Sequence, residues 1–216
     1  MATALITGAN RGIGAALRAE GTARGHKIIG THRGEAAPGW ITLDVTSPES
    51  FCDAAGALAE PIDLLVCNAG VYLDKGVPLH GITAEMLNKT FEANVTGVLL
   101  TVQAFLPHLM KSDGPRRIAI ISSIMGSQAR APGGAYAYRA SKAAAANLGR
   151  NLAADLAGDG VSVGIYHPGW VQTDMGGAEA AITVDESAKG LWDRFDAIAP
   201  DTTGAFLNYD GSAVPF

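Results

Sequence analysis

Short apolar runs alternate with longer amphipathic stretches along the whole chain. Runs of about five apolar residues bounded by turn residues are typical of β-strands. Asp63–Cys67 is nearly all apolar, as a strand buried on both faces of a sheet should be. The predicted strands are Ala2–Thr7, Lys27–Thr31, Trp40–Asp44, Asp63–Cys67, Arg117–Ser122, Val161–Tyr166 and Ala205–Leu207.

The longer stretches have helical spacing of apolar residues and recognisable helix starts. Pro48 stands at the first position of a predicted helix, where its missing N–H is not needed. Thr183 and Glu186 have the spacing of a capping box. Ala84–Met110 is either one long helix or two joined helices. The predicted helices are Ile13–Arg24, Ser47–Leu58, Ala84–Met110, Tyr136–Leu156 and Thr183–Ile198.

The repeated order of strand, helix and strand predicts an α/β fold. We expect a doubly wound parallel sheet with helices on both faces and right-handed crossovers. The connection Arg33–Gly39 is too short and too broken for a crossover helix, so it is predicted to be a loop. No linker or internal repeat is visible, and residues 1–216 are expected to form a single domain.

Composition narrows the class of protein. Apolar residues make up 48% of the 216 residues and charged residues 17%, which excludes a disordered chain. Lys and Arg number 16 against 21 Asp and Glu, for a net charge of −5, and no basic block is present. The electrostatic footprint of a nucleic-acid-binding protein is therefore missing.

The start of the chain and the cysteines indicate a compartment. No positive segment precedes an apolar run at the start, and charges or breakers interrupt every long apolar stretch. We therefore expect neither a signal peptide nor a membrane span. Cys52 and Cys67 lack metal-ligand spacing and are expected to be buried small hydrophobes, with no metal site. These features predict a soluble cytoplasmic protein.

The first predicted strand runs into a glycine-rich turn, Thr7–Gly14, which precedes a helix. Glycines allow a close approach of the backbone, and a helix N-terminus offers free N–H groups to a phosphate. The spacing is Gly-x-x-x-Gly-x-Gly, and a plain tight turn is the alternative. The residues expected to contact a cofactor phosphate are Gly8, Asn10, Arg11, Gly12, Ile13 and Gly14.

Arg33 follows the second predicted strand, where dinucleotide folds contact the adenosine ribose. An acid there favours NAD, whereas an arginine accommodates a 2′-phosphate. Arg11 in the glycine turn supplies a second guanidinium for the same dianion. The sequence thus favours NADP(H) over NAD(H).

Tyr138 and Lys142 stand at i and i+4 on one predicted helix and therefore share a face. Tyr136 lacks this relation, since Ala140 stands four residues after it. A nearby ammonium and an oxidised nicotinamide would lower the pKa of a phenol from about 10. A drop of about three units corresponds to roughly 4 kcal/mol. Such a tyrosine can exchange a proton with a carbonyl or alcohol oxygen.

These features together resemble the short-chain dehydrogenases/reductases, a family with a Rossmann-type fold. The resemblance spans almost the whole chain and implies an NAD(P)-dependent oxidoreductase. Its motifs are the Thr7–Gly14 turn, Asn68-Ala69-Gly70, Asn94, Ser123, the Tyr138/Lys142 pair, and Pro168-Gly169 with Thr173.

The resemblance implies catalytic roles at four positions. Tyr138 would be the general acid/base, and Lys142 would lower its pKa and hold the nicotinamide ribose hydroxyls. Ser123 would orient the substrate carbonyl, and Asn94 would hold a water in a proton relay to Lys142. The further positions implied at the cofactor are Asp44 and Val45 at the adenine, Asn68, Ala69 and Gly70 beside the cofactor, Pro168 and Gly169, and Val171 and Thr173 at the nicotinamide amide.

The chain departs from the family pattern in several places. Ser123 lies 15 residues before Tyr138, two more than is common, so Gly126–Ala135 carries an insertion. Ser122 and Ser127 remain weaker candidates for the serine role. The segment between Met175 and Thr183 is short for a substrate lid, which indicates an open site. Cys67 replaces a second asparagine, and the missing helix after Arg33 leaves the depth of the adenosine pocket open.

The combination looks most like the compact branch of the family that includes C-factor and the insect carbonyl reductase sniffer. It predicts an NADPH-dependent carbonyl reductase, reversible as an alcohol dehydrogenase, that acts on a small ketone or aldehyde. A non-catalytic NADP(H) sensor or scaffold is the alternative, and a sugar-nucleotide epimerase ranks lower. The helices Ala84–Met110 and Tyr136–Leu156 are candidate seams of a homodimer or homotetramer.

Overall fold

The computed structural model of the protein describes residues 1–35 and 37–216. Within them the strands form one parallel sheet in the order β3-β2-β1-β4-β5-β6-β7. The order reverses between β1 and β4, and such a reversal opens a crevice at the carboxyl ends of the strands. The strands are β1 (Thr3–Ile6), β2 (Lys27–His32), β3 (Trp40–Thr42), β4 (Leu64–Cys67), β5 (Arg116–Ile121), β6 (Val161–His167) and β7 (Phe206–Asn208).

Helices cover both faces of the sheet. One face carries the second, fourth and fifth helices and the other carries the first and sixth. Short 3₁₀ turns occupy Leu79–Gly81, Ile124–Gly126 and Ala157–Asp159. The helices are α1 (Gly12–Ala23), α2 (Pro48–Ala57), α3 (Ala84–Phe91), α4 (Gly97–Met110), α5 (Tyr136–Leu156) and α6 (Val184–Asp196).

Alternate strand residues enter two separate cores. In β4, Leu65 packs with α4 and α5, whereas Val66 packs toward α1 and α6. Both side chains are fully buried. Burial of both faces explains why the central strands are apolar without alternation. The predicted doubly wound α/β fold is confirmed.

The stretch Ala84–Met110 consists of two helices joined by a π-turn over Glu92–Thr96. It is long and apolar enough to cross a membrane by length and composition alone. Its apolar side chains Val102, Phe105 and Leu109 are buried in the core, as in a core helix of a globular domain.

Most predicted elements lie within a few residues of their observed bounds. Tyr136–Leu156 has the predicted bounds, and Thr183 caps α6 by accepting a hydrogen bond from the amide of Glu186 at 3.2 Å. The Arg33–Gly39 connection contains no helix in its described part, and residue 36 of this predicted loop lies outside the described residues. Pairing of copies through the long helices stays a prediction.

The cysteine prediction holds for one residue and fails for the other. Cys67 is buried, and burial raises the pKa of its thiol to about 12. Cys52 is exposed, contrary to expectation, because it lies on the solvent side of α2 while Phe51 and Ala54 face the core. Apolar content alone does not tell which face of a helix a cysteine occupies.

A pair of helical glycines gives a test of core packing. A Cβ at Gly21 would lie 2.2 Å from Cζ2 of Trp192, a buried ring that donates to Leu17 O at 2.8 Å. We expect Gly21→Ala to lower the free energy of unfolding by about 1–3 kcal/mol, because the fixed ring cannot move away. Gly56→Ala is the control, since no atom lies within 4 Å of its added Cβ. It should stabilise by up to about 1 kcal/mol through helix propensity. Urea unfolding measures both, and equal shifts would contradict the packing account.

Candidate active site

A cavity of about 860 Å³ opens at the carboxyl ends of the strands, where the strand order reverses. This is the place where ligands bind in doubly wound folds. Residues from separate elements line the cavity. The predicted site residues among them are Gly8, Asn10, Arg11, Gly12, Ile13, Gly14, Arg33, Asp44, Val45, Asn68, Ala69, Gly70, Tyr138, Lys142, Pro168 and Thr173. The other lining residues include His32, Gly34, Leu43, Thr46, Val71, Ala93, Ile121, Ser122, Gln172, Asp174, Met175, Val184 and Asp185.

The glycine turn requires its glycines for two different reasons. Gly8 and Gly12 have φ of +63° and +52°, a region that L-residues rarely occupy. Gly14 has no room for a side chain, since a Cβ there would lie 2.2 Å from Gly8 O and 2.6 Å from Asn68 Nδ2. Arg11, at the N-cap of α1, provides no side-chain hydrogen bond to the first turn. The free amides there are suited to an anion.

Hydrogen bonds join the glycine turn to the Asn68-Ala69-Gly70 turn across the strand reversal. Thr7 Oγ1 accepts from the amides of Asn68 at 3.0 Å and Ala69 at 3.1 Å. Asn68 Nδ2 donates to Thr7 O at 2.9 Å and to Gly8 O at 3.3 Å. The Asn-Ala-Gly segment therefore sets the floor of the cavity and the position of the glycine turn.

Charged and polar groups surround the far end of the cavity. Arg11, Arg33 and His32 line it, and His32 Nδ1 accepts from the Gly34 amide at 3.0 Å. Burial tends to raise the pKa of Asp44, but hydrogen bonds from Thr46 and the positive charge of Arg33 lower it overall. Two guanidiniums and an imidazole therefore line the same cavity.

Tyr138 and Lys142 lie at the other end, both buried on the inner face of α5. Lys142 Nζ is 5.7 Å from the centroid of the Tyr138 ring and donates to Ile121 O at 2.9 Å. Burial raises the pKa of Tyr138 to about 12, although a hydrogen bond with Ser123 acts in the opposite direction. Burial also lowers the pKa of Lys142 to about 8.

Among the protein's own groups, burial dominates and raises the pKa of Tyr138. The cause is the same for Tyr138 and Lys142, since burial disfavours the charged form of each. At neutral pH the phenol is therefore protonated, and Lys142, with a pKa of about 8, is largely charged. The lowering expected from the ammonium together with an oxidised nicotinamide stays a prediction.

The three serine candidates are separated by their contacts. Ser123 is the one bonded to Tyr138, and its Oγ also accepts from the Met125 amide at 3.1 Å. Ser122 donates to Lys142 O at 2.8 Å and so holds the α5 backbone. Ser127 is buried with no hydrogen-bond partner for its Oγ within the described residues.

Asn94 is fully buried in the π-turn between α3 and α4. Its Oδ1 accepts from the Val71 amide at 2.8 Å, and its Nδ2 donates to Val71 O and Ser141 Oγ, each at 2.9 Å. A Cβ on Gly70 would lie 2.9 Å from Asn94 Oδ1 and 3.5 Å from Lys142 Nζ. Asn94 therefore lies close behind the lysine, although neither Asn94 nor Ser123 lines the cavity itself.

The segment after β6 closes the cavity rim. Lys75 Nζ donates to Met175 O at 2.8 Å, and Arg11 forms an ion pair with Asp174 at 3.7 Å. Trp170, which is 55% exposed, donates to Gly176 O at 3.0 Å and does not line the cavity. The short segment that follows β6 is thus held by contacts with Lys75 and with Arg11.

Two predicted positions lie behind the rim instead of on it. Val171 is buried and pairs with Ile182, and Gly169, with φ of +90°, packs against Ile182 and Tyr209. Neither lines the cavity. They support the segment that carries Thr173.

Sequence reasoning missed two residues beside Tyr138. The ring of Tyr72 stacks on that of Tyr138, with centroids 4.2 Å apart and an interplanar angle of 17°. Asp74 is fully buried and accepts from the amides of Ala137 and Tyr138. In the sequence both belong to an irregular connection after β4, where periodicity carries no signal.

Comparisons with known proteins agree with this geometry. Residues 2–182 match the family model described as short chain dehydrogenase. C-signal of Myxococcus xanthus is 39% identical over 164 residues, covering 76% of this chain and 98% of that protein. The NADPH-bound carbonyl reductase from chicken fatty liver superposes with a TM-score of 0.91 at 30% identity, covering 100% and 99% of the two chains. The carbonyl reductase Sniffer of D. melanogaster superposes with a TM-score of 0.91 at 26% identity, covering 100% of each.

The chain belongs to the short-chain dehydrogenase family and is an oxidoreductase of that family. Its likeness to Sniffer and C-signal places it in the compact, sniffer-like branch.

The residues present fit a dinucleotide. The uncapped N-terminus of α1 and the cradle that a Cβ on Gly14 would fill suit a pyrophosphate. The arginines suit a further phosphate. Among residues 1–35 and 37–216, no group of three His, Cys, Asp or Glu side chains is placed to hold a metal ion.

Burial of Lys142 predicts a stability cost that depends on pH. Its native pKa of about 8 lies below the 10.5 of a free lysine, so the unfolded chain binds more protons between these values. Stability therefore rises with pH across that window, and the cost at pH 7 is about 3 kcal/mol. We expect Lys142→Met to be about 2 kcal/mol more stable at pH 7, after loss of the hydrogen bond to Ile121 O.

Urea unfolding at pH 7 and pH 9.5 measures this difference, which should shrink at the higher pH. Exposed Lys189→Met is the matched control and should change stability by less than about 0.5 kcal/mol at either pH. A Lys142→Met variant less stable than the parent at pH 7 would show that the lysine is not strained by burial.

Proposed function

We propose that the protein is an NADPH-dependent carbonyl reductase, reversible as an alcohol dehydrogenase. It moves a hydride between the nicotinamide and a ketone or aldehyde carbon, while Tyr138 handles the proton. The observation that carries this is a cavity that the glycine turn, Tyr138 and Lys142 all line, with Ser123 hydrogen-bonded to Tyr138.

The glycine turn and the start of α1 bind the pyrophosphate. Their free amides and the positive end of the helix dipole attract it. Asp44 and Val45 contact the adenine, and Asn68, Ala69 and Gly70 lie alongside the cofactor. Pro168 and Gly169 shape the segment from which Thr173 reaches the nicotinamide amide, and Val171 supports this segment from behind.

Arg11 and Arg33 select NADPH. Both line the cavity, and no acidic residue ends β2. An acid at that place would bond the free ribose hydroxyl of NAD, whereas guanidiniums pair with a 2′-phosphate. The NADPH-bound chicken carbonyl reductase, a structural relative, supports the same preference.

Bound NADPH supplies the hydride. Tyr138 is protonated at neutral pH, since its pKa of about 12 is far above 7, and so it can donate its proton to the carbonyl oxygen. Ser123 donates a hydrogen bond to the same oxygen and orients it. Lys142 holds the ribose hydroxyls and stabilises the phenolate left after proton transfer. Asn94, close behind Lys142, holds a water that returns the proton.

The alternative, a non-catalytic NADP(H) sensor, needs only the cofactor half of the site. A complete and buried proton-transfer set favours the enzyme, because burying Lys142 is costly and a sensor gains nothing from it. NADPH oxidation with a panel of small ketones and aldehydes separates the two functions. NADPH binding with no turnover on any of them favours the sensor.

Removal of the Tyr138 hydroxyl tests the proton step. We expect Tyr138→Phe to lower kcat/KM by about 10²–10⁴-fold, because the reduced oxygen then lacks its proton donor. Steady-state NADPH oxidation measures this, and the dissociation constant for NADPH should change by less than about threefold. Tyr136→Phe is the matched control, since that phenol lies on the same helix turn but is 42% exposed. Near-full turnover by Tyr138→Phe would refute the mechanism.

Removal of the guanidiniums tests the cofactor preference. We expect Arg33→Ala to weaken NADPH binding by about tenfold, since one charge-assisted hydrogen bond is worth roughly 1.5 kcal/mol, and Arg11→Ala to act similarly. NADH binding should change little, so fluorescence titration with both cofactors should show a collapsed selectivity. Arg150→Ala is the control, because that guanidinium lies over Phe216, away from the cavity. Equal losses for both cofactors would contradict the 2′-phosphate assignment.

A further inference from the structure

The helix that carries Tyr138 has no local signal fixing its start. Its N-cap residue is Ala135, whose side chain cannot accept a hydrogen bond. Gly133, Gly134 and Ala135 have successive φ values of +87°, +71° and +50°, and the last is unfavourable for an alanine. Something outside the helix must therefore hold its first turn.

Asp74, which precedes Ala137 by 63 residues in the chain, binds this first turn. Its carboxylate is fully buried, and Oδ2 accepts from the Ala137 amide at 2.7 Å. Oδ1 accepts from the Tyr138 amide at 3.2 Å. Within the described part of the chain, no basic nitrogen lies within 4 Å of it. The peptide amides and the positive end of α5 thus balance its charge.

The same short segment also holds the tyrosine ring. Tyr72, two residues before Asp74, stacks on Tyr138 with centroids 4.2 Å apart. One bond to the backbone and one contact with the ring leave the phenol little freedom. A side chain held at both ends keeps its hydroxyl in a fixed place relative to Ser123 and Lys142.

We propose that Asp74 is a positioning residue for Tyr138, capping α5 from a distance so that the phenol is held at the reacting oxygen. This inference rests on the proposed function, in which Tyr138 donates the proton. Asp74 itself is fully buried and does not line the cavity. Because displacement by about 1 Å can cost 10²-fold in rate, the loss of this cap should be visible in turnover.

The first experiment compares Asp74→Ala and Asp74→Asn in NADPH oxidation and NADPH titration. Alanine removes both acceptors and should lower kcat about 10–100-fold, while the dissociation constant for NADPH changes less than threefold. Asparagine keeps one acceptor oxygen and should give an intermediate loss. Thr83→Ala is the matched control, because it removes the cap of α3, where Thr83 Oγ1 accepts from the Met86 amide at 3.1 Å. It should leave kcat unchanged.

The second experiment tests whether Asp74 acts through Tyr138. In a Tyr138→Phe background, Asp74→Asn should cause no further loss of the residual rate, since the group that it positions is already gone. Amide hydrogen exchange should quicken at Ala137 and Tyr138 in Asp74→Asn, with the middle of α5 unchanged. This readout needs no activity and applies also if the alanine variant folds poorly.

The outcomes separate this inference from the function on which it rests. Near-full turnover by Tyr138→Phe overturns both. If Tyr138→Phe is inactive while Asp74→Asn keeps full kcat and unchanged exchange at 137 and 138, only the positioning role is overturned. Equal losses caused by Asp74→Asn in the parent and Tyr138→Phe backgrounds would likewise show a merely structural effect.

Discussion

The contact between two turns at the strand reversal organises the whole site. β1 and β4 are neighbours, but their helices leave on opposite faces of the sheet, so a crevice opens between the turns that follow them. Thr7 and Asn68 bridge this crevice with backbone and side-chain hydrogen bonds. These hydrogen bonds fix the position of the glycine turn relative to the Asn-Ala-Gly turn. Both long helices are placed relative to these turns by the same parallel sheet.

The polar groups buried around Tyr138 lower the stability of the fold in this region. Lys142, Asn94, Ser141 and Asp74 are almost completely buried, each with hydrogen bonds to backbone or to one another. Buried polar groups destabilise a fold unless they are satisfied. Lys142 retains a net cost even so, because burial lowers its pKa to about 8. The fold is less stable as a result, but the polar side chains are held in fixed positions, as is common at functional sites.

Several elements of the structure follow directly from patterns in the sequence. The bounds of α5 follow from its helical pattern, and β4 from its unbroken apolar run. The sequence predicts the glycine turn because its residues are contiguous in the chain, and it predicts the Tyr138/Lys142 pair because one helix turn brings them together. The exposure of Cys52 and the effect of burial on the pKa of Tyr138 could not be predicted in this way, since both depend on what packs around these residues.

The sequence by itself determined the alternating strand and helix order, the phosphate-binding turn and the Tyr-Lys spacing, because each is written in residues close together in the chain. Only the tertiary structure decided which serine meets the phenol, how burial shifts the pKa values, and that Asp74 and Tyr72 hold Tyr138. These contacts join residues separated by up to 66 positions. Local periodicity cannot predict such contacts, because they form only when the folded sheet brings the connection after β4 against the start of α5.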